Sequence, residues 1–480
     1  MLYLDGTTLV LSKGRTVTVT ADAPIRLSRK LNTGRILVFG LAYMLPLAVF
    51  TSFGYATAAT NGHLAGSYIV TTIAMLATAS SYAQLVRAYP VAGSAYTYTR
   101  GAFGSHLGFL VGWALLLDYL LLPMLSYILI GQYLSAVVPA VPQWAWIVGS
   151  IVVVTVLNLI GITIVTSVNL ALVGAQILFV AVFVIAGLAS YAGDQRGAGL
   201  LDPFWSATAD VPHLAAGAAI LALAFLGFDA VSTLSEEAKE PKRSIPRAII
   251  LTTLIGGLIF TLAAWVAGLV FPDYKHLSDD TASIDLMVRV GGAVLSGLFT
   301  AAFVAGSFAS AMASQASVAR ILYAMGRDRM LPRTVFARVS ARFRTPWITI
   351  LILAALGLLA LVVPLDWVFQ MINFGALMAF SFVNLSVIKH FLIDRRQRGG
   401  RAIWLFLVLP IIGFAMTAWL WTSLAPLAFW IGIPWVVVGL IYLLGLTRFF
   451  TRRPPTMDFS EEDPALAPEE EPARTPAPLG

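Results

Sequence analysis

The chain runs to 480 residues, 59% hydrophobic and only 11% charged, with a mean hydropathy of +0.84. That composition is far from a soluble average and marks a polytopic helical membrane protein. Cysteine is absent, which excludes disulfides and thiolate metal sites, and the net charge of +7 is explained by membrane topology, without a nucleic-acid partner.

Residues 1–35 are too polar for the apolar core of a secretory signal, so they read as a cytoplasmic N-terminal tail, with the span from Ile36 as an uncleaved anchor. A crossing needs about 20 apolar residues. Twelve spans are predicted, over 36–58, 66–88, 107–137, 144–165, 169–192, 213–235, 247–271, 288–325, 346–363, 367–392, 403–424 and 426–449. With the N-terminus inside, every Lys and Arg except Arg196, Lys275 and Arg289 falls on a cytoplasmic segment, as basic residues prefer. Both termini are then cytoplasmic, in a multi-pass protein of the cell (plasma) membrane. Beyond Phe450 comes Arg452-Arg453-Pro454-Pro455 and an acidic, Pro-rich stretch with seven carboxylates between Asp458 and Glu471. A tail of this composition, 451–480, cannot bury a core and is expected to be disordered. The excess of Arg over Lys and the abundance of Ala point to a GC-rich bacterial genome.

Two spans carry interruptions at corresponding places, Met44-Leu45-Pro46 through Gly54 in the first and Leu226-Gly227-Phe228-Asp229 in the sixth. Breaks of this kind free backbone carbonyls and amides near the bilayer midplane, which lipid tolerates only where they line a cavity. Half-helix C-terminal ends attract an ammonium and N-terminal ends attract anions. Tyr43, Phe50, Phe225 and Phe228 are placed to wall the site, with ordinary packing as the plainer alternative.

Asp118 and Asp229 are the carboxylates placed well inside apolar spans, where a charge costs about 2.5–3.5 kcal/mol on insertion scales. Asp118 reads either as a counter-ion for a cationic substrate or a proton carrier, or as a carboxylate tied to a neighbouring helix. Asp229 reads either as a site residue or as a cap for the helix that restarts after the break. Ser307, Ser310, Ser314 and Ser317 form a small-residue run that close helix packing explains, with a cation or substrate contact as the other reading. Glu236 and Glu237 are a solvated loop, or a latch to Arg87 or Arg320 when an inner gate closes.

No G-x-x-x-x-G-K-[ST] loop is present, so transport, if that is the function, is secondary. H-E-x-x-H and G-x-S-x-G are missing too, and the five histidines sit at or near span ends, which makes an intramembrane enzyme a remote alternative and leaves no cofactor expected. A channel or sensor on the same scaffold would differ in lacking saturable accumulation.

The run from Leu223-Ala224-Phe225-Leu226-Gly227-Phe228-Asp229 through Ser235-Glu236-Glu237, followed by Glu240-Pro241-Lys242-Arg243-Ser244-Ile245-Pro246-Arg247, resembles the sixth-span signature of the amino acid, polyamine and organocation transporters. Arg87-Ala88-Tyr89-Pro90-Val91-Ala92-Gly93-Ser94 is similar to that family's second-span exit, and Ala319-Arg320 through Gly326-Arg327-Asp328 to its eighth. The resemblance implies an all-α leucine-transporter fold, with inverted repeats over about 36–192 and 213–392 inside a 36–450 transporter domain, broken helices 1 and 6, and extra helices over 403–449. It also implies alternating access driven by protons or by exchange.

Three positions depart from the family pattern. Pro46-Leu47-Ala48 replaces a Gly-x-Gly turn whose amides receive a substrate carboxylate, and proline has no amide hydrogen. Gln176 stands near the place of a coupling lysine, and Gln84 replaces a second-span glutamate. A substrate with ammonium groups and no α-carboxylate suits both the altered turn and Asp118. The runs Leu41-Ala42-Tyr43-Met44-Leu45-Pro46-Leu47 and Leu117-Asp118-Tyr119 resemble putrescine importers within the family. The implied substrate site is Tyr43, Leu45, Pro46, Val49, Asp118, Tyr119, Phe225, Gly227, Phe228 and Asp229, with Asp118, Asp229 and Ser314 as coupling candidates. The expected partners are a small amine, protons or an exchange substrate, and the bilayer; a neutral or cationic amino acid permease is the alternative, its carboxylate received by Thr51, Ser52 and Gly54.

Overall fold

A computed structural model describes residues 8–10, 16–18, 30–193, 199–272, 282–422 and 424–449; the expected C-terminal tail lies outside them. α1 (Thr33–Met44) starts at Asn32, whose side chain accepts the Arg35 amide at 3.0 Å and so satisfies one of the donors a helix start leaves over. It ends where Leu45 turns left-handed (φ 54°) before Pro46, which cannot continue the hydrogen-bond ladder. α2 (Ala48–Thr51) and α3 (Phe53–Ala59) complete the first crossing.

The rest of the first half is α4 (Leu64–Ala88), α5 (Ser94–Phe103), α6 (Ser105–Val137), α7 (Gln143–Ile160) and α8 (Ile162–Gly193). The second half opens with α9 (Val211–Leu221), capped by Asp210, which accepts the His213 amide at 2.8 Å. Two 3-10 segments, Ala222–Phe225 and Ala230–Leu234, then flank the second break. α10 (Pro241–Val270), α11 (Ala282–Arg327), α12 (Arg333–Phe336), α13 (Trp347–Gly357) and α14 (Leu365–Val387) follow. α15 (Gly400–Ile403), α16 (Leu409–Thr422) and α17 (Pro426–Thr447) end the bundle.

Among the described residues, ten helices are long and apolar enough to cross a membrane, and the bent sixth span, counted as one, makes eleven. The ninth expected span lies on Trp347–Leu361, apolar but shorter than a full crossing. Several features differ from expectation. The eighth helix starts at Ala282 and kinks at Gly291–Gly292, short α5 fills the loop after the second span, and α14 continues as a π-helical turn over Ile388–Asp394. Within the tail expected over 1–35, Thr8–Val10 pairs antiparallel with Thr16–Thr18.

The two halves pack as each other's counterparts. α4 lies on α10, α6 on α11 and α7 on α13, each pairing a helix with its equivalent in the other half. Contacts of α1 with α10 are mirrored by α4 with α9, and those of α6 with α14 by α8 with α11. A five-plus-five inverted repeat generates this exchange of partners. The last two helices attach outside: Trp113 of α6 stacks on Trp435 of α17 at 5.0 Å, and each indole donates to the other's backbone carbonyl at 2.9 and 2.8 Å.

Candidate functional site

The two breaks touch. Gly227 has φ +124°, and a Cβ there would come within 2.7 Å of the Tyr43 ring and 3.0 Å of the Met44 nitrogen, so only glycine gives both the backbone turn and the approach. Opposite lies α6, held against α14 at Gly375, where a Cβ would meet the Asp118 nitrogen at 2.8 Å. Tyr43, in the last turn of α1, meets Tyr119 of α6, so the negative pole of the α1 dipole lies close to the middle of α6.

The two aspartates differ in how they are satisfied. Asp229 accepts from the Tyr119 hydroxyl at 2.7 Å and from the Gly227 amide at 3.2 Å, so both of its oxygens are used in holding the break. Asp118 is 1% exposed and neither of its oxygens has a hydrogen-bond partner among the described residues. The two lie within electrostatic reach of each other and of Tyr43. A buried carboxylate without a partner is costly, and a proton or a bound cation removes that cost.

Aromatic rings close the space. Tyr43 meets Tyr119 edge-on at 6.1 Å, Phe228 stacks on Phe380 at 5.3 Å, and Tyr82 meets Phe228 at 5.7 Å. Tyr82 and Phe380 carried no distinguishing mark in the sequence, because aromatic residues are common in apolar spans. Phe225 instead packs on Phe260, and Phe50 on Phe183 and Phe299, so these two belong to helix packing. Val49 is buried too. At the first break Pro46 has no amide hydrogen and the Ala48 amide is bonded to the Leu45 carbonyl at 2.7 Å; of Pro46-Leu47-Ala48 only Leu47 keeps an amide for a ligand.

Ser314 donates to the Ser310 carbonyl at 2.7 Å within its own helix, while Ser310 reaches across to the Tyr43 carbonyl at 3.0 Å. The cross-helix contact thus falls on Ser310, and Ser314 behaves as a packing residue. Gln176 lies beside Leu45 and Gly306, its side-chain oxygen without a partner.

Where α1 begins, ion pairs tie α11 and the residue after it to neighbouring segments. Arg320 grips Glu237 with two bonds, at 2.8 and 3.0 Å, between side chains 5% and 3% exposed. Leu31 bridges the Glu237–Lys239 backbone. Glu236 pairs with Arg327 at 2.9 Å and accepts the Ala92 amide. Arg87, one of the two expected latch arginines, instead donates to Gln84 at 3.5 Å; its place at the end of α4 turns it away from the glutamates. Arg100 and Asp328 form a further buried pair at 2.9 Å, with Tyr96 donating to the same carboxylate. At the opposite end, a cavity of about 170 Å³ reaches down to Leu226 and Phe380.

Burial pushes the Asp328 carboxyl up to about 6, against the pull of Arg100 and Arg327. A solvated aspartate titrates near 3.9. The closed arrangement therefore binds this proton more tightly than an open, hydrated one, and its gain from Asp328 is fully present below about pH 4 and lost as pH rises through about 6. Acidification through that window is expected to slow opening of this end, seen as a falling exchange rate at zero gradient, and Asp328→Asn is expected to flatten that part of the profile.

Two broken spans that touch, and beside them a buried carboxylate without a partner among the described residues, are the features of a membrane transporter. The chain belongs to the amino acid permease family, whose sequence profile matches residues 35–451. It is 40% identical over 435 residues to the low-affinity putrescine importer PlaP of Escherichia coli (strain K12), covering 89% of this chain and 95% of that protein. It is 27% identical to the methylthioribose transporter of Bacillus subtilis (strain 168), over 87% and 93% of the two chains. It is 26% identical to the branched-chain amino acid permease BcaP of the same species, over 75% and 81%.

Proposed function

We propose that this protein takes up putrescine or a related amine across a bacterial cytoplasmic membrane, coupled to protons, by alternating access between the inverted repeats 36–192 and 213–392, with both termini cytoplasmic. The observation that carries the reading is Asp118, buried with both oxygens unpartnered beside the carbonyl end of α1. One ammonium pairs with Asp118, and the rings of Tyr43, Tyr82 and Phe228 offer cation–π faces to it. Asp229, held by Tyr119 and Gly227, sets the shape of the break and adds negative potential. Between substrates, Asp118 takes the proton that replaces the cation.

The likeness to a putrescine importer supports the amine, and the loss of amides at Pro46 and Ala48 argues against an α-carboxylate. The amino acid permease reading rests on the more distant relatives. Ornithine separates the two, since it is putrescine bearing an α-carboxylate. Binding of labelled putrescine to purified protein is expected to be displaced by unlabelled putrescine and far less by ornithine; stronger displacement by ornithine or leucine would overturn the amine assignment.

A further inference from the structure

A second feature lies away from the transport path. α4 presents Ser80, Ala83, Gln84 and Arg87, and α10 presents Arg247 and Ile250, to a groove of about 350 Å³ between the two helices. The α4 residues fall at i, i+3, i+4 and i+7, one stripe of a helix. The groove is amphiphilic along its length: Ala83 and Ile250 make an apolar trough, and Arg87 and Arg247 stand exposed at one end. No carboxylate lines it, and neither arginine has a carboxylate partner among the described residues.

We propose that this groove holds an anionic phospholipid, its phosphate between Arg87 and Arg247 and an acyl chain along Ala83 and Ile250. The stripe from Ser80 to Arg87 is about 10 Å long at 1.5 Å per residue, longer than a phosphate alone occupies and enough for the upper part of an acyl chain. Both arginines lie at the end of the bundle where the basic residues gather, and basic pockets between spans on that side suit anionic headgroups. Guanidinium groups favour such a phosphate through paired, charge-assisted hydrogen bonds. A free anion uses only the basic end and leaves the trough unexplained.

The lipid joins the same two segments as the inner gate. Five residues beyond Arg87, the Ala92 amide is held by Glu236. Arg247 stands just beyond the segment that carries Glu236 and Glu237. A phosphate bridging the arginines ties the end of α4 to the start of α10 and favours the closed inner end.

The test uses delipidated, purified full-length protein and reads melting temperature and lipid retention by native mass spectrometry. Phosphatidylglycerol is expected to raise the melting temperature and remain bound, while phosphatidylcholine and inorganic phosphate do neither. Arg87→Gln/Arg247→Gln is expected to lose more than half of that gain, and Arg87→Lys/Arg247→Lys to keep most of it. Both arginines are exposed, so these variants fold. An undiminished gain in the glutamine variant, an equal gain from phosphatidylcholine or inorganic phosphate, or a second copy of the chain seated there in place of lipid would each overturn the proposal. None of these readouts depends on the transported substrate.

Discussion

Asp118→Asn is expected to lower amine uptake efficiency about a hundredfold or more while leaving the protein folded. Removing one member of a buried ion pair costs about 3–5 kcal/mol, and each 1.4 kcal/mol is tenfold in affinity. Among the described residues Asp118 has no hydrogen-bond partner, so the loss falls on the ligand complex and the melting temperature without substrate stays the same or rises. Asp229→Asn behaves differently, because its carboxylate accepts from Tyr119 and Gly227; its substitution lowers stability and transport together. Saturable wild-type kinetics in Asp118→Asn would reject the ammonium site.

The second large effect is at the inner gate. Glu237→Ala leaves Arg320 buried and uncompensated and should destabilise the closed inner end by about 3–5 kcal/mol. The outcome is a protein biased toward opening on that side, with turnover altered more than apparent affinity. Absence of native cysteine makes this measurable: Ser317→Cys, fully buried about one turn before Arg320 on α11, should react slowly with a polar thiol reagent in the parent and about ten times faster or more with Glu237→Ala added. Equal reactivity in both would mean that the pair does not hold the gate. Glu236, which meets Arg327 and Ala92 at a less buried position, should give a smaller change.

Much of this was legible in the chain because membrane spans leave few ways to place charge. A carboxylate amid apolar residues stands out, so the burial of Asp118 and Asp229 inside the bundle was expected, as were the backbone breaks at Pro46 and Gly227 and the contact of Glu237 with Arg320. The division of labour between the aspartates was not legible, since it depends on Tyr119 reaching Asp229 from α6, 110 positions away in sequence. Tyr82 and Phe380 join the site only through helix packing, and no residue pattern distinguishes them from other apolar-face aromatics. Arg87 and Arg327 are equally basic and equally near a span end; the register of α4 and α11 decides which meets a glutamate. The eighth helix begins before its expected span, at Ala282, and this was missed because Asp285 and Arg289 interrupt the apolar run ahead of the kink at Gly291–Gly292.

Uptake of labelled putrescine into proteoliposomes, with and without an imposed inward proton gradient, tests the central claim most directly. The expected result is saturable accumulation above equilibrium that requires the gradient, is competed by diamines but not by ornithine or leucine, and disappears in Asp118→Asn. Accumulation of an amino acid in place of putrescine, or putrescine uptake indifferent to both the gradient and Asp118, would contradict it.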